Sequence, residues 1–137
     1  HMERELIPCC RNFGVGVAPT MPLAQGFLTG KYRRDGRMPE TGRFTSKPPF
    51  AGAKHQNLGR YDKYLNAANF EKLAKLEAFA QERGHSVAEL AIAWLLSHPW
   101  IGMVPVGCTS GEQLTRNVAA AGWKLSNDDL AQLDKII

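Results

Sequence analysis

Two short apolar runs, residues 15–19 and 101–106, limit the folds open to this chain more than any other feature. Neither run alternates apolar with polar residues, which is the pattern of a strand buried on both faces. About eighty residues separate them, and helical periodicity fills much of that interval. Parallel strands need such crossovers, with helices covering the sheet. The sequence therefore predicts an α/β fold with two parallel strands and about five helices, rich in helix.

The helices are predicted from apolar spacing and from residues that suit helix ends. One covers residues 3–12, and another carries Phe70 to Ala80 at helical spacing before Gly84, a residue suited to ending a helix. Ser86-Val-Ala-Glu89 predicts a capping box at the start of a helix that is apolar nearly all round. Ser110–Gln113 predicts a second capping box and Ser126–Asp129 a further helix start. In the helix after Ser110, Leu114, Val118 and Ala121 are expected to face inward.

Residues 28–60 form a long segment rich in Gly, Pro and basic side chains. Such a segment within a compact domain is usually a lid, a binding loop or disordered. Its basic side chains form either a solvated surface or a site that binds an anion, and the sequence leaves both interpretations open. These side chains are Lys31, Arg33, Arg34, Arg37, Arg43 and Lys47. Residues 1–2 are interpreted as a tag remnant and residues 3–137 as one domain.

The composition indicates a soluble protein of ordinary type. The 137 residues carry a net charge of +4, which favours phosphate-bearing or acidic partners without requiring nucleic acid. The 3 cysteines form no CxxC pair and indicate a reducing, cytoplasmic location. No apolar stretch approaches the roughly 20 residues of a membrane helix. The histidines show no metal-ligand spacing, so no metal site is predicted.

Two segments have the features of a phosphate-receiving turn. Pro22–Gly26 follows the first predicted strand, and ligands of α/β folds gather where strands end. Gly26 and Gly30 permit close backbone approach, and Lys31 adds a positive charge. The second segment is Thr109–Asn117, at a helix start where exposed amides and the dipole favour an anion. Gln113, Arg116 and Asn117 share one side of that helix, although an ordinary capped surface helix would look the same.

The order of these motifs resembles the C-terminal part of the aldo-keto reductase family. The motifs are Pro22-Leu-Ala-Gln-Gly-Phe-Leu-Thr-Gly-Lys-Tyr32, Gly84-His-Ser-Val-Ala-Glu-Leu-Ala-Ile-Ala-Trp94, Val104-Pro-Val-Gly107 and Gln113-Leu-Thr-Arg-Asn117. The resemblance covers nearly all of the chain but only about the last two-fifths of a full member. It implies a fragment of a TIM (β/α)8 barrel, with residues 15–19 as strand seven and 101–106 as strand eight. It also implies binding of NADP(H) and reduction of aldehydes and ketones.

The resemblance assigns three groups of residues to the cofactor. The pyrophosphate loop falls on Met21, Pro22, Leu23, Ala24 and Gln25. Lys31 and Arg43 fall where related members hold the phosphates from the long loop. The adenosine and 2′-phosphate stretch falls on Gly107, Thr109, Gln113, Arg116 and Asn117.

Three departures from the family pattern limit what the chain is expected to do alone. Thr20 and Met21 replace the aromatic residue and serine that usually precede Pro-Leu, so the ring that stacks on nicotinamide is absent. Arg116 replaces a glutamate of many relatives and can only donate hydrogen bonds. It would therefore suit the 2′-phosphate, which would favour NADP over NAD. The Asp, Tyr, Lys and His of the family's tetrad have no counterpart here. No catalytic residue is assigned, and the isolated chain is expected to be inactive, with weak or lost NADP(H) binding.

Other functional classes remain open from the sequence. The two helices around Gly84 have the outline of a helix-turn-helix, but the second offers almost no side chains for base edges. A small interaction module without nucleotide binding is the other alternative. Two strands out of eight would leave open edges, so a homo-oligomer or a missing N-terminal half is expected to cover them.

Overall fold

Helices make up most of the regular structure. The computed structural model describes residues 2–45 and 61–137, so residues 46–60 of the predicted basic loop, with Lys47 and His55, lie outside the described residues. A π-helical turn at Met2–Leu6 leads into α1 (Ile7–Asn12). The other elements, in chain order, are a 3₁₀ segment (Ala24–Thr29), α2 (Tyr61–Tyr64), α3 (Ala67–Gln81), α4 (Val87–Leu96), α5 (Gly111–Ala120) and α6 (Asn127–Leu133).

The two predicted strands are not confirmed as strands. Within the described residues, their pairing is limited to one parallel bridge between Val17 and Ile101. The Val17 amide donates to the Trp100 carbonyl at 2.8 Å, and the Gly102 amide donates to the Val17 carbonyl at 3.0 Å. A parallel ladder needs further strands and cover on both faces, and Val15 and Met103 beside the bridge are 54% and 61% exposed. The prediction that the two runs pair in parallel is correct, but the prediction that they form two full strands is not confirmed.

Most predicted helix ends are confirmed. Ser86 and Glu89 form the capping box of α4, and Ser126 and Asp129 form that of α6. Gly84 ends the α3 region with a φ of 75°. The capping box predicted for α5 is only half formed. The Ser110 side chain accepts from the Gln113 amide, but the Gln113 side chain bonds Thr109 instead of the Ser110 amide.

The core consists of two apolar clusters that share α3 and α4. The first joins the 3₁₀ segment and the start of the basic loop to both helices; its buried members are Phe27, Tyr32, Phe44, Leu73 and Val87. The second contains Phe79, Ala80, Leu90 and Leu133, with Trp94 and Trp123 packed against it. Both tryptophans thus have a packing role. Four α4 residues are buried, which leaves this helix little surface for the base edges of DNA.

The predicted inward face of α5 is wrong. Leu114 and Val118 are 53% and 65% exposed, and Ala121 is exposed as well. The fully buried residue of this helix is Ala120, and α5 packs on α4. A small side chain at the contact lets two helices approach closely, so the alanine rather than the larger apolar residues meets α4.

Two contacts hold α6 and the residues just before it against the turn between α3 and α4. The Arg83 Nε donates to Asp129 Oδ1 at 2.8 Å, and the His85 ring stacks on Trp123 with centroids 3.9 Å apart. Hydrogen bonds from the Ser126 amide and hydroxyl lower the pKa of Asp129, and Arg83 adds to this effect. His85 therefore packs against an aromatic ring. Among residues 2–45 and 61–137, no three potential metal-ligating side chains gather.

Candidate nucleotide-binding site

The turn after the first apolar run has an unusual backbone. Met21, Ala24 and Gln25 all have positive φ values, of 56°, 46° and 60°, and Gly26 follows at 92°. The left-handed conformation costs roughly 1–2 kcal/mol for a residue with a side chain. Such conformations persist only where the surroundings impose them, and they concentrate at functional sites. Three of the five residues assigned to the pyrophosphate loop are therefore in a conformation that needs support from packing.

Phe27 provides that support. Its side chain is only 5% exposed and meets the edge of Phe70 on α3, with ring centroids 5.4 Å apart. Ala24 and Leu28 pack against the same cluster, and the 3₁₀ segment packs on α4. Within the turn, the amides of Ala24 and Gly26 donate to the carbonyls of Met21 and Leu23, each at 2.8 Å. The loop is thus fixed to the helical body by one aromatic side chain.

Lys31 and Arg43 lie near enough for the charge of one to affect the other. Partial burial of the Lys31 ammonium lowers its pKa, and the positive charge of Arg43 lowers it further. The Lys31 residue as a whole is exposed, but its ammonium lies 5.3 Å from the centroid of the Tyr32 ring. The charge of Arg43 acts unfavourably on the charge of Lys31, and a bound anion would counter that effect. Lys31 therefore carries its charge in a less favourable setting than a fully solvated lysine does.

Glycines form the backbone surface beside the Lys31 ammonium. A Cβ built on Gly26 or on Gly42 would lie 3.4 Å from Lys31 Nζ in either case. On Gly42, that atom would also lie 2.5 Å from the Tyr32 hydroxyl. Gly42 could not be singled out from the sequence, because a lone glycine in a basic segment indicates only a turn. The lack of side chains at both positions leaves room for the ammonium.

Tyr32 is the buried support of this region. Its side chain is 1% exposed, and its hydroxyl accepts a hydrogen bond from the Phe44 amide at 3.4 Å. Burial raises the pKa of Tyr32, while the backbone amides of Phe44 and Arg43 oppose that rise. Tyr32 is therefore held neutral and fixed within the core. Its packing role had no signal in the sequence, where Tyr32 follows Lys31 in a segment rich in Gly and basic residues.

The second half of the predicted site is the start of α5. The Gln113 Oε1 accepts from the Thr109 amide at 2.8 Å and from the Thr109 hydroxyl at 3.3 Å. Gly107 and Thr109 are exposed, and Asn117 is partly buried. The amides of Gly111 and Glu112 have no protein acceptor within the described part of the chain. This helix start can therefore receive an anion at its first two amides.

Arg116 is already engaged on its own helix. One of its terminal nitrogens lies 3.4 Å from Glu112 Oε1, one turn earlier, and both side chains are mostly exposed. An exposed pair of this kind is weak, at about 0.3–0.5 kcal/mol, so a phosphate could displace the carboxylate. Arg116 is therefore available to a ligand at the cost of a surface ion pair.

Helix α4 supports both halves of the site. The 3₁₀ segment after Met21–Gln25 packs against it, and so does α5. The Met21–Gln25 turn also forms one wall of an apolar groove of ≈ 600 Å³, whose other walls come from α3, α4 and the C-terminal residues. The convergence of the two halves on one ligand stays a prediction. Their common attachment to α4 is the structural basis for it.

Comparison with known proteins identifies the family. The model of the Aldo/keto reductase family matches residues 1–137. The chain is 39% identical over 133 residues to L-glyceraldehyde 3-phosphate reductase of Escherichia coli O157:H7, covering 96% of this chain and 36% of the relative. It is 32% identical over 133 residues to the probable aldo-keto reductase 1 of Glycine max, covering 96% of this chain and 35% of the relative. It is also 30% identical over 140 residues to a putative voltage-gated potassium channel subunit beta of Schizosaccharomyces pombe, covering 100% of this chain and 38% of the relative.

The chain belongs to the aldo/keto reductase family. It spans little more than a third of the length of these curated relatives. Family membership implies a TIM barrel, to which the described residues contribute helices and one parallel bridge. None of the helices in the described part of the chain is both long and apolar enough to cross a bilayer.

Proposed function

We propose that this chain is the cofactor-binding, C-terminal portion of an NADP(H)-dependent aldo-keto reductase. The cofactor supplies hydride for the reduction of an aldehyde or ketone in the whole protein. Met21–Gln25, Lys31 and Arg43 would contact the pyrophosphate, and Gly107, Thr109, Gln113 and Asn117 the adenosine. Arg116 would pair with the 2′-phosphate. The protein would act in the cytoplasm, and the carbonyl substrate would be a small molecule.

The surroundings of the Lys31 ammonium are the observation that carries this proposal. The ammonium lies 5.3 Å from the centroid of the Tyr32 ring, and partial burial together with the charge of Arg43 lowers its pKa. Glycine backbone lies beside the ammonium, and the left-handed turn lies a few residues earlier. The pyrophosphate carries one negative charge on each of its two phosphates, so both cations would attract it, and it could approach the glycines closely. This combination fits a nucleotide phosphate better than it fits a solvated surface loop.

Catalysis is proposed to need residues outside this sequence. Thr20 and Met21 offer no ring to stack on nicotinamide, and no Asp, Tyr, Lys and His set matches the family's tetrad. The chain's own role would be to bind and orient the adenosine end of the cofactor. We therefore expect no carbonyl reduction by this chain alone.

Binding of NADPH is expected to be weak but measurable. Isothermal titration calorimetry with NADPH should show saturable heat, with a dissociation constant on the order of 1 mM because only part of the cofactor is held. NADH should bind more weakly, since it lacks the group that Arg116 would contact. An absence of heat at millimolar NADPH would refute the proposal and leave the small interaction module as the better explanation.

Exposed apolar side chains favour association with another polypeptide as a second property. Leu114 is 53% exposed, Met103 61% and Val118 65%. Together with the open edges of the single bridge, they form surfaces that monomeric proteins usually cover. We propose that a second copy of the chain or an N-terminal half of the barrel covers them. Light scattering of the purified chain should give a mass above that of a 15.1 kDa monomer, and a monomer mass would contradict association of copies.

A further inference from the structure

Glu112 already pairs with Arg116, the side chain that would contact the 2′-phosphate. Its carboxylate lies 3.4 Å from the Arg116 guanidinium, four residues further along α5. The side chains of Arg116 and Glu112 are 60% and 78% exposed, so both can rearrange. We propose that Glu112 is a specificity-determining residue, which weakens the preference of this site for a 2′-phosphorylated cofactor over an unphosphorylated one. This inference rests on the proposed function and on the assignment of Arg116 within it.

Two physical effects act in the same direction. To pair with the phosphate, Arg116 must leave Glu112, and the lost ion pair reduces the net gain. The carboxylate also stays within one helical turn of the phosphate and repels it, because both are negative. Binding of a cofactor without the 2′-phosphate neither breaks the Arg116–Glu112 pair nor places a phosphate beside the Glu112 carboxylate. Glu112 therefore penalises NADP(H) selectively, and removal of its charge should strengthen the preference.

The expected size is modest because the pair is exposed. Loss of the intrahelical pair alone is worth about twofold in affinity, and relief of repulsion from a divalent anion in water adds a similar or larger factor. We expect Glu112→Gln to raise NADPH affinity by about threefold to tenfold and to change NADH affinity by less than about twofold. The gain should shrink in high salt, because both side chains are exposed to solvent.

Asp128 provides a matched control. Glu112 and Asp128 are each the second residue of a helix capped by serine, Ser110 in α5 and Ser126 in α6. Asp128→Asn therefore removes one first-turn carboxylate and the same charge, away from Arg116. This variant should change the affinity for NADPH and the affinity for NADH by no more than about twofold each. The comparison separates the effect of the local ion pair from that of net charge. Thermal melts of the three proteins check that each is folded.

The outcomes separate this inference from the proposed function. Wild type and variants are titrated with NADPH and NADH, and the ratio of the two affinities is the readout. If the wild type prefers NADPH and Glu112→Gln leaves the ratio unchanged, the role of Glu112 is wrong while the proposed function stands. An equal gain for both cofactors would also overturn it. If no protein binds either cofactor, both the proposed function and this inference fail.

Discussion

Replacement of Lys31 by Met is expected to weaken NADPH binding about tenfold and to stabilise the free protein. The binding loss follows from removal of one charged hydrogen bond to phosphate. The gain in stability follows because burial and Arg43 both disfavour the Lys31 charge in the folded state, as its lowered pKa shows. Replacement of both Lys31 and Arg43 should weaken binding about a hundredfold, beyond detection by calorimetry at millimolar ligand.

Lys75→Met is the matched control for this effect. Lys75 is exposed on α3, far along the chain from the proposed phosphate residues. The same substitution there removes one charge and should change NADPH affinity and the free energy of unfolding only slightly. Calorimetry measures the affinity, and urea denaturation followed by circular dichroism measures the stability. Equal losses of binding in the two variants would show that only net charge matters and would contradict a phosphate site at Lys31.

The same residue predicts opposite pH dependences for stability and for binding. The folded pKa of Lys31 lies below 10.5, its value in the unfolded chain. Between these two values the unfolded chain holds more protons, so the contribution of Lys31 to the free energy of unfolding rises with pH. NADPH affinity should fall over that window because the ammonium is lost. Tyr32, with a raised pKa, acts against the stability trend above pH 10, so the Lys31 effect is the difference between wild type and Lys31→Met.

Features set by a few adjacent residues were predictable from the sequence. The capping box at Ser86, the helix start at Ser126 and the helix end at Gly84 depend on hydrogen bonds over three or four residues. Their geometry is therefore encoded locally and needs no tertiary contact. The family resemblance is likewise a matter of order and spacing, and the family match over residues 1–137 confirms it.

Features set by tertiary packing were not predictable in the same way. The strands required neighbours that the periodicity of a single run does not specify, and in residues 2–45 and 61–137 their pairing is the single Val17–Ile101 bridge. The spacing of Leu114 and Val118 identified an apolar side of α5, but not which side meets α4. Amphipathic spacing gives a helix an apolar face, whereas the shape of the neighbouring helix decides whether that face is used.

The candidate site shows the same division. Lys31 and Arg43 could be proposed from charge and from the resemblance, but the position of the Lys31 ammonium beside Tyr32 and Gly42 is set by tertiary packing. The left-handed conformations of Ala24 and Gln25 had no sequence signal, because these residue types seldom adopt positive φ. Packing around Phe27 imposes them. The contribution of Phe27 is therefore the second effect that we expect to be large.

Replacement of Phe27 by Ala is expected to lower the free energy of unfolding by about 3–5 kcal/mol. Phe27 is 5% exposed and contacts Phe70, so its truncation leaves a cavity between the 3₁₀ segment and α3. The left-handed residues of the preceding turn would lose the packing that holds them. NADPH binding should therefore disappear along with the stability. Urea denaturation and calorimetry on the same preparations measure the two losses.

Phe13→Ala tests whether this loss comes from packing, because it is the same substitution at a side chain that is 74% exposed. A surface position of that kind should change stability by no more than about 0.5 kcal/mol. If Phe27→Ala does not fold, Phe27→Leu keeps most of the volume and should cost less than about 1.5 kcal/mol while weakening NADPH binding measurably. Equal effects at Phe27 and Phe13 would mean that the 3₁₀ segment is not anchored by its aromatic side chain. The strained turn would then need another source of support, and its assignment to the pyrophosphate would lose its structural basis.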